Sequence, residues 1–100
     1  MITNLAEKNS VANRYVAELR DTDIQQDRMR FRRNLERLGE ILAYEISKTL
    51  DYEPFEIETP LGLATTQLPA QRIVLATILR AGLPMHEGML HYFDQADNVF

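Results

Sequence analysis

An amphipathic helical pattern between Thr22 and Leu50 constrains the fold of this chain more than any other feature. Apolar residues recur there at intervals of three, four and seven, and at 100° per residue the first six fall within about 80° of one another. Thr22 and Gln25 fit a capping box at the start of the pattern. We therefore predict a helix over residues 22–50, and a break near Asp27 or Gly39 would also fit. Its expected buried stripe comprises Ile24, Phe31, Leu35, Leu38, Leu42, Ile46 and Leu50.

The segments on either side of this helix carry weaker patterns. Residues 1–20 are polar, and we expect them to be irregular or extended. From residue 52 apolar and polar side chains alternate, as they do in a half-exposed strand. Pro60 and Gly62 mark a turn, because proline presets φ and glycine supplies a positive φ. The pattern predicts a β-hairpin over residues 52–66.

A further change of pattern begins at Arg72. The run over residues 72–79 is apolar on both faces, which is typical of a strand that helices cover on both sides in a parallel sheet. Pro84 suits the first turn of a helix, because the N–H that it lacks would have no helical partner there. We predict a strand, a loop and a helix over residues 72–93, and residues 98–100 have the character of another strand's start.

Composition excludes several classes of protein. Eleven basic and fifteen acidic residues give a net charge of -4, which argues against a general binder of nucleic acids or anionic membranes. Without cysteine there is no disulfide, thiolate metal site or cysteine nucleophile. The longest apolar run is far shorter than the roughly 20 residues that span a bilayer, and the first residues lack the plan of a signal peptide. We expect a cytoplasmic protein of the α/β class.

Arg80 and Gly82 lie between the predicted strand and the predicted helix. In open parallel sheets ligands bind at the carboxyl ends of the strands, where free backbone N–H groups and the helix dipole favour anions. Arg80 would add a forked, permanently charged donor, and Gly82 would let the backbone approach a ligand closely. The spacing is compatible with a phosphate site. By itself, however, it favours an ordinary strand-to-helix turn with a solvated arginine.

Two other interpretations compete with an enzyme. The arginines at residues 28, 30, 32, 33 and 37 could form a basic face for RNA or a phosphate-bearing effector. They scatter around the helix and acidic residues follow them, so a solvated face with weak arginine–glutamate pairs is the simpler explanation. The second alternative is a non-catalytic dimerisation or interaction module, because a long helix and a projecting hairpin bury few of their own apolar residues.

The segment around Arg80 also resembles a known family. The run Ile78–Leu83, preceded by an apolar strand, is similar to the pyrophosphate loop of uracil phosphoribosyltransferases. The likeness covers about residues 19–100, although Pro84 stands where many members have glycine. The other matching runs are Leu19–Asp21, Arg30–Arg32, Leu42–Glu45 and Glu58–Gly62.

This resemblance implies an activity and a set of partners. The family transfers phosphoribose from phosphoribosyl pyrophosphate (PRPP) to uracil, which gives UMP and pyrophosphate, and Mg²⁺ accompanies the diphosphate. By the resemblance Arg80 contacts the pyrophosphate, Leu79, Ala81 and Gly82 shape the loop, and the Leu79–Arg80 peptide is cis. Members also dimerise through this end of the molecule, so we expect a homodimer or higher oligomer. No residue of this segment is assigned a catalytic or metal-ligating role.

The same resemblance implies that parts of the site lie elsewhere. The family's acidic PRPP-binding loop and its uracil pocket have no counterpart in residues 1–100. We therefore expect a single partial domain, comprising an N-terminal helical segment, a hairpin arm and the first strand–loop–helix of a Rossmann-like parallel sheet, incomplete at its C-terminal end. Such a chain alone is expected to be inactive.

Overall fold

The computed structural model describes residues 2–100 and has the mixed α/β architecture that the sequence predicts. The hydrogen-bonded strands form two separate pairs, one antiparallel and one parallel. In chain order the helices and strands are α1 (Ala12–Arg20), α2 (Arg28–Ser47), β1 (Tyr52–Thr59), β2 (Gly62–Pro69), β3 (Val74–Ala76), α3 (Leu83–Leu90) and β4 (Asp97–Val99).

The expectation of irregular or extended chain over residues 1–20 is wrong for residues 12–20, which form a helix, and residue 1 lies outside the described residues. A short 3-10 turn covers Leu5–Glu7, and α1 follows at Ala12. The Ser10 side chain accepts a hydrogen bond from the Ala12 N–H at 3.2 Å, which supports the start of this helix. Tertiary contact explains the rest: Glu18 is buried and its carboxylate pairs with Arg30 of α2. A polar segment is helical here because a charged partner on the next helix satisfies it.

The chain breaks between α1 and α2 near Asp27, one of the two places that the sequence left open. Residues Ile24–Gln26 form a separate 3-10 turn. Asp27 then caps α2, because its carboxylate accepts the Arg30 N–H at 3.1 Å. The capping box predicted at Thr22 is wrong: the Asp21 carboxylate accepts the N–H groups of the two residues after Thr22, at 2.9 and 3.2 Å.

The apolar stripe of α2 is not its most buried face. Leu35, Leu38 and Leu42 are half-buried, while Phe31 and Ile46 are exposed. Neighbouring helices pack against the two sides of the stripe, α1 against one and α3 against the other. The fully buried residues of α2 are small or polar, namely Asn34, Gly39 and Ala43. Close approach of the flanking helices therefore decides burial on α2 more than hydrophobicity does.

The contact between α2 and α3 depends on two glycines. A Cβ added to Gly88 would lie 1.9 Å from the carbonyl oxygen of Glu36. A Cβ added to Gly39 would lie 2.4 Å from the carbonyl oxygen of Met85. Gly88 of α3 thus makes room for the backbone of α2, and Gly39 of α2 makes room for the backbone of α3. In this sense the crossing is reciprocal. Its closeness fixes how far α3, and the loop that leads into it, lie from α2.

The hairpin is longer than the sequence indicates. β1 and β2 pair in register from Tyr52 with Pro69 to Thr59 with Gly62, so the second strand ends three residues after the predicted limit at 66. Gly62 has a φ of 122°, which is the positive value that the turn was predicted to need. The Thr59 hydroxyl donates to the Gly62 carbonyl oxygen at 2.6 Å and closes the turn. Large apolar side chains on the hairpin, including Phe55 and Ile57, are exposed.

Strands β3 and β4 pair in parallel, and α3 forms the crossover that connects them. Val74 pairs with Asp97 and Ala76 with Val99, so the crossover is complete within the described residues. β3 is shorter than the predicted run to residue 79, because its partner strand has only three residues and the chain then turns into a loop. Of β3 only Leu75 is buried, so helices do not cover both faces here. α3 likewise ends at residue 90, before the predicted limit at 93.

The molecule is elongated and has a small core. Its dimensions are 54 × 33 × 32 Å and its radius of gyration is 16.7 Å, against about 13 Å for a compact domain of this length. Among the described residues the buried hydrophobic side chains are those of Ala12, Ala43 and Leu75. Much apolar surface is therefore left in contact with solvent.

The glycine crossing predicts a sharp loss of stability for Gly88→Ala. Alanine would improve helix propensity by about 1 kcal/mol, but overpacking against a backbone carbonyl typically costs about 1–3 kcal/mol or more. Since the Glu36 carbonyl cannot rotate away, we expect a net loss of about 2 kcal/mol in the free energy of unfolding. Urea denaturation of the chain measures it. Glu87→Ala, at an exposed neighbour on the same helix, is the control and is expected to be near neutral; equal stability of the two variants would contradict the crossing.

Candidate functional site

The loop between β3 and α3 is tied down at both ends. The Thr77 N–H donates to the Val99 carbonyl oxygen at 3.0 Å, which extends the pairing with β4 by one bond. The Leu79–Arg80 peptide is cis, as the family resemblance implied. Beyond it the N–H of Leu83 donates to the Arg80 carbonyl oxygen at 3.2 Å, and α3 begins. Arg80 is therefore carried by a short, hydrogen-bonded turn whose backbone direction is fixed.

Gly82 is needed for the packing of the loop itself. Its φ of -80° is ordinary for any residue, so the turn does not need glycine for a positive φ. An added Cβ would lie 2.1 Å from the Thr77 hydroxyl oxygen and 3.0 Å from the Ile78 carbonyl oxygen. The space at Gly82 is thus filled by the loop's own side chain. The glycine therefore keeps the loop tightly folded, and its predicted close approach to a ligand stays a prediction.

Side-chain contacts hold the first turns of α3 against β4. His86 is buried, and its Nε2 lies 2.7 Å from the Asn98 side-chain oxygen. The His86 ring also packs against Phe100, with 5.3 Å between ring centroids. Pro84 lies in the first turn, where its missing N–H costs no helical bond. These contacts position the helix start that follows Arg80.

A groove of about 950 Å³ runs between the loop and α2. Arg80 and Ala81 line it from the loop, and Arg28 and Arg32 line it from the first turns of α2. The groove has room for a phosphorylated sugar, and three arginines from two distant parts of the chain are among its lining residues. Its remaining lining residues are Gln25, Gln26, Phe31, Leu35, Glu36, Leu83, Pro84 and Glu87.

The guanidinium groups of the groove differ from the other arginines of α2 in having no partner. Within residues 2–100 no ion pair or side-chain hydrogen bond involves the guanidinium of Arg28, Arg32 or Arg80. The remaining α2 arginines each have a partner, and none of them is among the lining residues of the groove. The pairs are Arg30 with Glu18, Arg33 with Glu36 at 3.2 Å and Arg37 with Asn34 at 3.2 Å.

Two of the paired arginines, Arg30 and Arg37, make contacts with α1. The hydrogen bond and charge of Glu18 raise the pKa of the Arg30 guanidinium above its usual value. Arg37 stacks over the Tyr15 ring, with 5.3 Å between its guanidinium carbon and the ring centroid. These arginines join α1 to α2 and are structural. The basic run therefore does not form one continuous face for RNA.

The structure brings the predicted loop residues together and adds two that sequence reasoning missed. Arg80 and Ala81 line the groove, while Leu79 and Gly82 belong to the turn but are not among its lining residues. Arg28 and Arg32 were interpreted as part of a solvated face. Their four-residue spacing, and the 11-residue spacing that puts Arg28 on the same side of the helix as Gly39, could have indicated otherwise.

The described residues contain neither a cluster of metal-ligating side chains nor a helix that could span a membrane. Across residues 2–100 no three or more acidic, histidine or cysteine side chains come together in a way that could hold a metal ion. Among the helices of the same residues none is both long and apolar enough to cross a membrane.

A parallel β–α–β unit with an arginine-bearing loop at the carboxyl end of its first strand defines an α/β protein whose loop lies where open parallel sheets bind ligands. The family model described as Uracil phosphoribosyltransferase matches residues 6–100. This chain belongs to the uracil phosphoribosyltransferase family.

Individual relatives agree with this assignment. A uracil phosphoribosyltransferase of Porphyromonas gingivalis is 52% identical over 99 residues, which are 99% of this chain and 46% of that protein. One of Sulfolobus acidocaldarius is 42% identical over 79 residues, covering 76% of this chain and 36% of that protein. A solved protein structure from Aquifex aeolicus superposes with a TM-score of 0.81 at 31% identity, over 98% of this chain and 46% of that one. The chain thus spans about half the length of the relatives it matches.

The packing of Gly82 against Thr77 predicts a pair of compensating substitutions. Gly82→Ala is expected to lower the free energy of unfolding by about 1–3 kcal/mol, because the new methyl group meets the Thr77 hydroxyl. In the double variant Thr77→Ala/Gly82→Ala that oxygen is gone, so part of the loss is expected to return. A double-mutant cycle by urea denaturation measures the coupling. Strictly additive effects would show that Thr77 does not fill the space at Gly82.

Proposed function

We propose that this chain forms the diphosphate-binding part of a uracil phosphoribosyltransferase, which transfers phosphoribose from PRPP to uracil and yields UMP and pyrophosphate. Membership of the family supports the reaction class. The observation that carries the proposal is Arg80, which lines the groove from a cis-peptide turn at the carboxyl end of β3. The uracil pocket and the rest of the PRPP site are proposed to lie in the half of the relatives that this chain does not match.

The proposed role of Arg80 follows from the charge changes of the reaction. As the bond from ribose to diphosphate breaks, the ribose becomes cation-like and the leaving diphosphate gains negative charge. A guanidinium that already points at the diphosphate stabilises this state, because it need not reorganise during the step. Its planar fork also matches two phosphate oxygens at once. The short turn that carries Arg80 supplies the required rigidity.

Mg²⁺ enters the proposal as part of the substrate. Magnesium is usually held by one or two carboxylates together with substrate phosphates rather than by an all-protein cage. Of the two glutamates in the groove, Glu36 is engaged by Arg33 and Glu87 remains. The described residues therefore do not fit a metal centre of their own, and the ion is proposed to arrive with the diphosphate.

We further propose that the hairpin pairs this chain with a second copy of itself, in the cytoplasm, where phosphorylated substrates are retained. Alternate residues of a strand share a face, and so do residues that lie directly opposite one another on paired strands. Leu68 lies opposite Glu53, two residues before Phe55, so Phe55, Ile57 and Leu68 are on one side of the hairpin. All three are exposed, at 46%, 42% and 42%. An apolar face of this kind on a two-stranded hairpin needs a partner to be stable.

Activity is tested in a chimera in which this chain replaces the matching 99 residues of the Porphyromonas gingivalis relative. We expect the chimera to form UMP from PRPP and uracil. Arg80→Gln is expected to lower kcat/KM by about 100-fold or more, with most of the loss in kcat, because Arg80 acts on charge that develops in the transition state. Arg14→Gln, which removes an exposed charge from α1, serves as the control. A folded chimera without activity, or an Arg80→Gln variant as active as the control, would contradict the proposal.

The hairpin proposal has its own test in sedimentation velocity. We expect the chain to sediment as a dimer or larger oligomer, and Ile57→Glu to shift it towards the monomer by placing a charge on the apolar face. Thr65→Glu adds the same charge to the opposite face of the hairpin and is expected to leave the distribution unchanged. A compact monomer at all concentrations, or equal effects of the two variants, would rule out pairing through this face.

A further inference from the structure

We infer that Arg28 and Arg32 bind the diphosphate of PRPP from the α2 side of the groove, so that the pyrophosphate loop supplies only part of the cationic grip. This inference rests on the proposed function, since it names further residues of the same binding site. Arg28 and Arg32 lie outside the loop motif, and the sequence of α2 does not distinguish them from its three other arginines.

The position of the two arginines is the first argument. Arg28 and Arg32 are one turn apart, and Gly39 lies eleven residues after Arg28, so all three project from the same side of α2. Gly39 is one of the two residues of α2, with Glu36, whose backbone approaches α3 closely. The arginines therefore lie on the line along which α2 faces α3 and its preceding loop. Their side chains line the groove together with Arg80.

The absence of partners is the second argument. An arginine side chain has five N–H donors and no acceptor, so a nearby carboxylate or carbonyl oxygen can pair with it. On α2 this holds for the three arginines that face other directions, each of which has a polar partner. Within residues 2–100 the two that face the groove have none, although Glu36 lines the same groove. Glu36 is engaged by Arg33, which leaves Arg28 and Arg32 free to bind an anion.

The charge of the ligand is the third argument. A diphosphate carries several negative charges, and one guanidinium neutralises only one of them. Arg28, Arg32 and Arg80 together give the groove three positive charges against the two glutamates, one of which is paired. Forked donors on two walls can contact phosphate oxygens on opposite sides of the ligand at the same time, whereas a single loop arginine reaches the ligand from one side. The groove thus fits a compact polyanion better than an extended nucleic acid.

Calorimetric titration of the 100-residue chain with inorganic pyrophosphate tests the inference. We expect Arg28→Gln and Arg32→Gln each to weaken binding about tenfold, as loss of a charged hydrogen bond does. Arg32→Lys keeps the charge without the fork and is expected to fall between Arg32→Gln and the unsubstituted chain. Affinity is also expected to fall with added salt more steeply in the unsubstituted chain than in Arg32→Gln. Circular dichroism establishes that each variant is folded.

Arg14→Gln is the matched control, because Arg14 is exposed on α1, does not line the groove and changes the net charge equally. It is expected to leave pyrophosphate affinity within about twofold. Weakening by Arg80→Gln alone would overturn this inference and leave the proposed function standing. Weakening by Arg28→Gln and Arg32→Gln but not by Arg80→Gln would support an anion site on α2 and count against the proposed role of Arg80. No binding by the unsubstituted chain, or equal weakening by the Arg14 control, would overturn the inference.

Discussion

The reciprocal crossing of α2 and α3 is the contact on which the rest of this structure depends. Two backbones approach so closely at Gly39 and Gly88 that a single added methyl group at either would meet a carbonyl oxygen of the other helix. Elsewhere the core is small, and few hydrophobic residues are buried. The crossing therefore does what a large apolar core does in other domains: it fixes one helix on another with little freedom to slide.

This constraint joins two chemically distinct parts of the chain. The loop with Arg80 leads directly into α3, and the arginines of the groove lie on α2 some 50 residues earlier in the sequence. Because the helices cannot separate at the glycines, the charges on both walls of the groove are held near one another before any ligand binds. Holding like charges together is unfavourable, so an anion that relieves the repulsion gains affinity from it.

The sequence reveals the local parts of this site but not their juxtaposition. The turn at Arg80, the hairpin and the long helix follow from short-range patterns, and likeness to a family extends them to the cis peptide. Helix α1 was missed because its stability comes from Glu18 and Arg30, a pair twelve residues apart that no local pattern contains. Arg28 and Arg32 were missed for the same reason. Packing of α3 and its preceding loop against α2 places these two arginines in the lining of the groove, and no pattern within α2 contains that contact.

Nuclear magnetic resonance of the isotope-labelled chain, titrated with pyrophosphate, tests the central claim most directly, since it observes each guanidinium separately. The account predicts that the Nε–H signals of Arg28, Arg32 and Arg80 move together and fit a single dissociation constant. The signal of Arg14, exposed on α1, is predicted to stay in place. Movement of the Arg80 signal without the other two, or with a different constant, would contradict a grip formed jointly by the loop and α2.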